Sequence, residues 1–261
     1  GVMDAYWPTP VLPVYGVRSE GMVAQDEERL GWQEMEQGQL ENAEVHFRRA
    51  LELDPYRADA LNGLGQVYLS WGDFEQAQEL FQMAIAQAQE DLPHHQRHTS
   101  WEDVNIRPYL RGLYHLAVTL FRQGLWDEAC EPLEELVAWD TEAIGQDGYY
   151  LLGMLQLRAN RPTEAVECFQ QSLSRYPEAF YSLGLAHFLQ GQLTDARQAW
   201  ADALAVIPDL SLFITHYPAL LPFPLWQSDD ETFVRTSRYV DDMVDLWTPE
   251  AKEELGRCMK A

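Results

Sequence analysis

Between Ala24 and Arg57 the apolar residues are spaced as two short helices joined by a turn. With these 34 residues numbered from 1, Leu30 and Gly31 stand at 7 and 8, Gly38 at 15, Ala43 at 20, Phe47 at 24, Ala50 at 27 and Pro55 at 32. Residues 58–91 repeat the pattern, with Leu64, Gly65, Tyr68, Gly72, Ala77, Phe81 and Ala84 in register. Three further units span 110–143, 146–176 and 177–210. Position 8 is Gly31, Gly65, Ala117, Gly153 and Gly184, and position 20 is alanine in all five units. Position 24 is Phe47, Phe81, Leu133, Phe169 and Trp200. Such a period marks an array of stacked supersecondary units, none of which buries its apolar face alone.

Each unit reads as a helix A followed by an antiparallel helix B. The small residues at 8 and 20 mark the closest approach of the two helices, where a larger side chain would force them apart. Gly38, Gly72, Gly124 and Gly191 end four A helices in the left-handed conformation that closes a helix, and Asn160 takes that place in the fourth unit. Ala129 and Ala165 are expected to be buried between helices.

The period and these residues resemble the tetratricopeptide repeat (TPR) family. The resemblance implies an all-α fold, a right-handed superhelical solenoid with a C-terminal helical cap. It also implies a concave face lined by positions 2, 5, 9 and 12 of each A helix. Arg107-Pro108-Tyr109-Leu110-Arg111, with Leu116 and Ala117, extends the likeness over residues 100–225 to the suppressor of tumorigenicity 7-like TPR group. That group implies interaction rather than catalysis.

Outside the units, residues 1–23 read as a non-helical arm: Pro8, Pro10 and Pro13 are interleaved with Tyr6, Trp7, Val11, Leu12 and Tyr15. Residues 92–109 form an insertion far longer than the usual link between helical hairpins. Residues 211–227 carry Pro218, Pro222 and Pro224 and read as an extended apolar return segment. Ser228 and Glu231 form a capping box, so a helix is expected from there to about Trp247. Thr248-Pro249-Glu250 then opens a last short helix.

The composition narrows the choice of partner. Eighteen Lys and Arg against 42 Asp and Glu give a net charge of −24, which argues against nucleic acid and against anionic membrane surfaces. Cys130, Cys168 and Cys258 form no paired motif and fit a reducing, cytoplasmic setting. No apolar run is long enough to span a membrane, and no basic-then-apolar leader opens the chain.

No phosphate loop, nucleophile elbow or Cys/His pair at a family spacing occurs, so no cofactor and no enzymatic activity are expected. His94, His95 and His98 lie beside Pro93 in the insertion and are expected to be metal-free, leaving a metal-dependent enzyme as a minor alternative. The candidate chemistry is instead a ladder on the concave positions of units three to five. Position 5 gives Tyr114, Tyr150 and Tyr181; position 9 gives Val118, Met154 and Leu185; position 12 gives Phe121, Leu157 and Phe188. Arg111, Arg122 and Arg158 border it. Unit one offers Glu28, Trp32 and Met35, and unit two offers Asn62, Gln66 and Leu69. Glu28 and Trp32 stand where TPR proteins that clamp a chaperone's terminal carboxylate need lysine and asparagine, which argues against that subtype.

The expectation is a scaffold or adaptor that binds a peptide or helix of a protein partner in this apolar groove. The alternative is a structural or self-associating protein whose groove is filled in cis by its own chain. The segment Pro218–Trp226 is expected to cover the unit-five end, leaving Tyr114 and Tyr150 open, and the N-terminal arm could mediate self-association.

Overall fold

A left-handed residue at the same place in successive units sets the shape of the chain. Gly38, Gly72, Gly124 and Gly191 have φ of 73°, 79°, 77° and 76°, and Asn160 has φ 57°. Each of the five closes its helix by the same pair of bonds: Gly72 N to Leu69 O and Asp73 N to Tyr68 O, for example, or Asn160 N to Leu157 O and Arg161 N to Gln156 O. This is the Schellman closure, which uses the last orphan carbonyls and turns the chain directly into the next helix.

The computed structural model describes residues 19–90, 92, 103–217 and 231–260. Among these, α1 (Glu20–Glu36) pairs with α2 (Leu40–Leu53), α3 (Ala58–Trp71) with α4 (Phe74–Glu90), and α5 (Arg107–Arg122) with α6 (Trp126–Trp139). Then α7 (Ala143–Arg158) pairs with α8 (Pro162–Ser172), and α9 (Ala179–Leu189) with α10 (Leu193–Val206). The array is followed by α11 (Pro208–His216), α12 (Glu231–Met243), a 3-10 turn at Val244–Leu246, and α13 (Pro249–Cys258). The fold is an all-α solenoid.

Packing explains the alternation of small and large residues. A Cβ added to Gly31 would lie 2.7 Å from the Phe47 ring, and one on Gly63 of the next A helix 2.3 Å from the same ring. Phe47 therefore fills the space between its own A helix and the following one. Gly65 and Phe81, and Gly153 and Phe169, repeat the contact at 2.7 and 2.8 Å. Ala129 and Ala165 have no exposed surface. The apolar core is continuous from Ala88 to Leu255, with a smaller cluster around Phe47 in the first two units.

Four sequence expectations change. Helix α1 begins at Glu20, with Ser19 as its cap accepting from Met22 N, so residues 20–23 are helical and not part of an arm. Residues 107–109, assigned to the insertion, form the first turn of α5, with Pro108 where a missing N–H costs nothing. Residues 211–216 are helical, because Pro208 opens α11 and no proline falls inside it; the backbone becomes extended at Tyr217. Helix α12 ends at Met243, four residues earlier than expected, and Trp247 is extended. The capping-box Ser228, the three prolines of 218–224, the arm to residue 18 and the histidines 94, 95 and 98 lie outside the described residues.

Candidate functional site

The concave face divides into two halves with different fates. In units four and five, four of the six ladder residues are buried. Tyr181 and Leu185 have no exposed surface, and Met154 and Leu157 are buried. What covers them is the C-terminal region. Ser182 donates to the Tyr239 hydroxyl at 3.1 Å, and Trp247 Nε1 donates to the same hydroxyl at 3.2 Å. The Tyr181 and Tyr239 rings meet edge to face, and Trp247 lies 5.6 Å from Trp200. Burial pushes the Tyr239 phenol well above its ordinary range.

Arg158, expected as a basic accent on an open groove, is instead an anchor. Its side chain is 8% exposed, and it donates to both Asp245 carboxylate oxygens at 2.8 and 3.1 Å and to the Asp242 carbonyl. It also lies over the Trp126 ring at 4.8 Å. This is a correction with a clear physical cause. Positions 5, 9 and 12 are open in an array that ends at its last repeat, but α12 and the stretch to Trp247 continue the apolar core across them. Phe188 is half-buried against Trp200 at 5.9 Å. Tyr150 is half-buried and stacked on Tyr176 at 4.3 Å.

In units one to three the face is open to half-buried side chains: Glu28, Trp32 and Met35 on α1, Gln66 and Leu69 on α3, and Tyr114, Val118 and Phe121 on α5. Arg122 is exposed at the end of that row. A cavity of about 650 Å³ lies here, lined by Gln25, Asp26, Glu28, Arg29, Trp32, Glu36, Asp59 and Arg111. Its geometry is organised by Arg111, whose guanidinium sits 4.9 Å over the Trp32 ring and pairs with Asp59. Glu28 is held from behind by Arg57, which donates at 3.0 and 3.3 Å. Asn62 is fully buried beneath the face and donates to Pro108 O at 2.8 Å, tying α3 to the start of α5.

Four carboxylates and two guanidiniums line the cavity, so its surface is acidic on balance. Burial pushes the Tyr114 phenol up to about 12, so it stays neutral. Sequence reasoning singled out Arg111 and Trp32 separately and missed Asp59. The signal was present: Asp59 occupies position 2 of its unit, one repeat before Arg111 at the same position. Among the described residues no three His, Cys, Asp or Glu gather as a metal site, and no helix is long and apolar enough to cross a membrane.

Family profiles described as tetratricopeptide repeat match residues 34–97, 109–178 and 150–209. The chain belongs to the tetratricopeptide repeat family. Among curated relatives, this TPR chain is 26% identical over 173 residues to cellulose synthase 1 operon protein C of Komagataeibacter xylinus, covering 65% of the chain and 12% of that protein. It is 26% identical over 145 residues to the type IV pilus assembly protein PilF of Pseudomonas aeruginosa, covering 56% of the chain and 50% of that protein. The chain thus spans half or less of these two relatives. The solved PilF structure superposes with a TM-score of 0.57 at 20% identity, covering 93% of both chains. YrrB, a TPR protein with an unusual peptide-binding site, gives 0.54 at 20% identity over 71% of this chain and 87% of its own. At these identities the structural likeness establishes the shared TPR fold.

Proposed function

We propose that this TPR protein is a non-enzymatic scaffold that holds a peptide or helix of a protein partner along the concave face of units one to three. Its own C-terminal helices occupy the equivalent face of units four and five. The observation that carries the reading is the Arg111–Trp32–Asp59 arrangement beside the cavity of about 650 Å³. An aromatic ring, a paired guanidinium and a surplus of carboxylates suit a segment presenting an apolar side chain next to a cationic or hydrogen-bond-donating group. The row Tyr114, Val118 and Phe121 continues that surface with apolar contact. From the original ladder, these three residues, Arg111 and Arg122 stay in the proposed binding face. Tyr181, Leu185, Met154, Leu157 and Arg158 do not, because the chain already uses them. The peptide-binding site named for YrrB is in keeping with this role.

The test is photo-crosslinking in the source cell, with the reactive amino acid placed at Gln66 on the concave face or at exposed Val45 on α2. A discrete adduct is expected from Gln66, absent from Val45 and lost when Trp32→Ala is added. Equal adducts from both positions, or an adduct indifferent to Trp32, would remove the concave face of units one to three as the binding surface.

A further inference from the structure

A second cavity, of about 340 Å³, lies on the seam where α12 meets the array. The array supplies Tyr150, Arg175 and Glu178, and α12 supplies Arg235, Arg238 and Asp242. In a chain with 18 basic residues against 42 acidic ones, three guanidiniums facing one small space is a concentration that needs a reason. Structure accounts for part of it. Arg175 pairs with Asp147 at 2.5 Å, and Arg235 donates to Arg175 O at 3.2 Å. Arg238 is exposed and makes no hydrogen bond or ion pair among the described residues.

Glu178 supplies the other half of the argument. It is 5% exposed, and its Oε2 is shut from solvent without a hydrogen-bond donor. Its nearest cation is Arg235 Nη1 at 4.0 Å, beyond hydrogen-bonding distance. A desolvated carboxylate oxygen in this condition is costly, burial pushes the Glu178 carboxyl above its ordinary range, and a cationic donor in the cavity would offset the cost of its charge. A simple anion would serve the arginines but would be repelled by Glu178 and Asp242. A ligand with a cationic donor at one end and an oxyanion at the other satisfies both. The cavity sits at the small end of the range for ligand sites, which limits the ligand to a few heavy atoms beyond those two groups.

We propose that the seam binds a small zwitterion of the α-amino acid type, its ammonium on Glu178 and its carboxylate on the guanidiniums of Arg238 and Arg175. Because α12 and the array each contribute walls, the bound ligand locks α12 in place. Binding free energy then adds to the stability of the closed arrangement.

The experiment uses the full chain at fixed ionic strength. Thermal midpoints are recorded with each standard L-amino acid at about 10 mM, a level that exposes even weak ligands by mass action. One amino acid, or a few of related side chain, should raise the midpoint and bind with unit stoichiometry by calorimetry. Its N-acetyl and carboxamide derivatives should not. R238Q should weaken binding by about tenfold or more, the loss expected for one charge-assisted contact, and E178Q should weaken it as well. Hydrogen exchange of α12 amides should slow when the amino acid is present. The proposal is overturned if no amino acid raises the midpoint. It is overturned equally if the N-acetyl derivative binds as well as the parent, or if E178Q binds more tightly, since both results assign the seam to an oxyanion alone.

Discussion

Replacing Tyr239 with phenylalanine tests whether α12 is seated on α9. The ring is 2% exposed and would stay in place, so only the hydroxyl is lost. That hydroxyl accepts from Ser182 Oγ at 3.1 Å and from Trp247 Nε1 at 3.2 Å. Ser182 has no exposed surface and Trp247 is 4% exposed, so water cannot replace the lost acceptor. Each orphaned buried donor costs about 1–3 kcal/mol. The serine hydroxyl can rotate toward a carbonyl of its own helix and falls at the low end, giving a total of about 2–4 kcal/mol. At about 2–4 °C per kcal/mol for a chain of this size, the thermal midpoint should fall by roughly 5–15 °C. Adding Ser182→Ala to Tyr239→Phe removes one orphan and should recover about 1 kcal/mol, a coupling that independent sites would not show. The assays are thermal melts of the two single variants and the double variant, with hydrogen exchange of α12 as the local reading. A Tyr239→Phe midpoint within the range of an ordinary surface substitution, about 0.5 kcal/mol, would refute the seating of α12.

Other outcomes follow from the packing and the buried titratable groups. Gly184→Ala puts a Cβ 2.2 Å from Trp200 Nε1 and should lower the midpoint by overpacking worth about 1–3 kcal/mol, against a helix-propensity gain of about 1 kcal/mol. Gly256→Ala in α13 meets nothing within 4 Å and should raise the midpoint, so the two variants move in opposite directions in one melt series. His115, whose Nδ1 is closed off without a partner, is pushed down to about 3 by burial and by Arg111 nearby. A depressed histidine pKa means the unfolded chain takes the proton first. Stability should therefore fall as pH drops from about 6.5 toward 3, and His115→Phe should flatten that part of a denaturation profile against pH.

The parts of this fold legible in the sequence are those fixed locally. A left-handed glycine at the end of each A helix, alanine at position 20 and a ring at position 24 act within one hairpin or between neighbours, so their spacing alone carries the message. Helix ends were harder to place. Ser19 caps α1 ahead of its expected start, and Pro208 opens a helix that runs to His216, because Pro218 forces only the residue before it, Tyr217, out of helical geometry. The open and closed halves of the concave face were legible least of all. The apolar residues Val240 and Met243 on α12, with Val244 just beyond it, announce a buried stripe, but not which surface buries it. That choice depends on Tyr239 meeting Ser182, 57 residues away in sequence, and on Arg158 meeting Asp245 at a separation of 87. For the same reason the open cavity was read as separate residues, since Arg111 reaches Asp59 across the 52 residues that include the insertion.

The division of the concave face is most directly tested by hydroxyl-radical footprinting of the full chain, free and with the partner captured through Gln66. In the free protein Trp32 and Met35 should oxidise readily, while Met154 and Tyr181 stay unmodified. The partner should shield Trp32 and Met35 and leave Met154 and Tyr181 unchanged. Oxidation of Met154 and Tyr181 in the free protein, or shielding there in place of Trp32, would contradict the account.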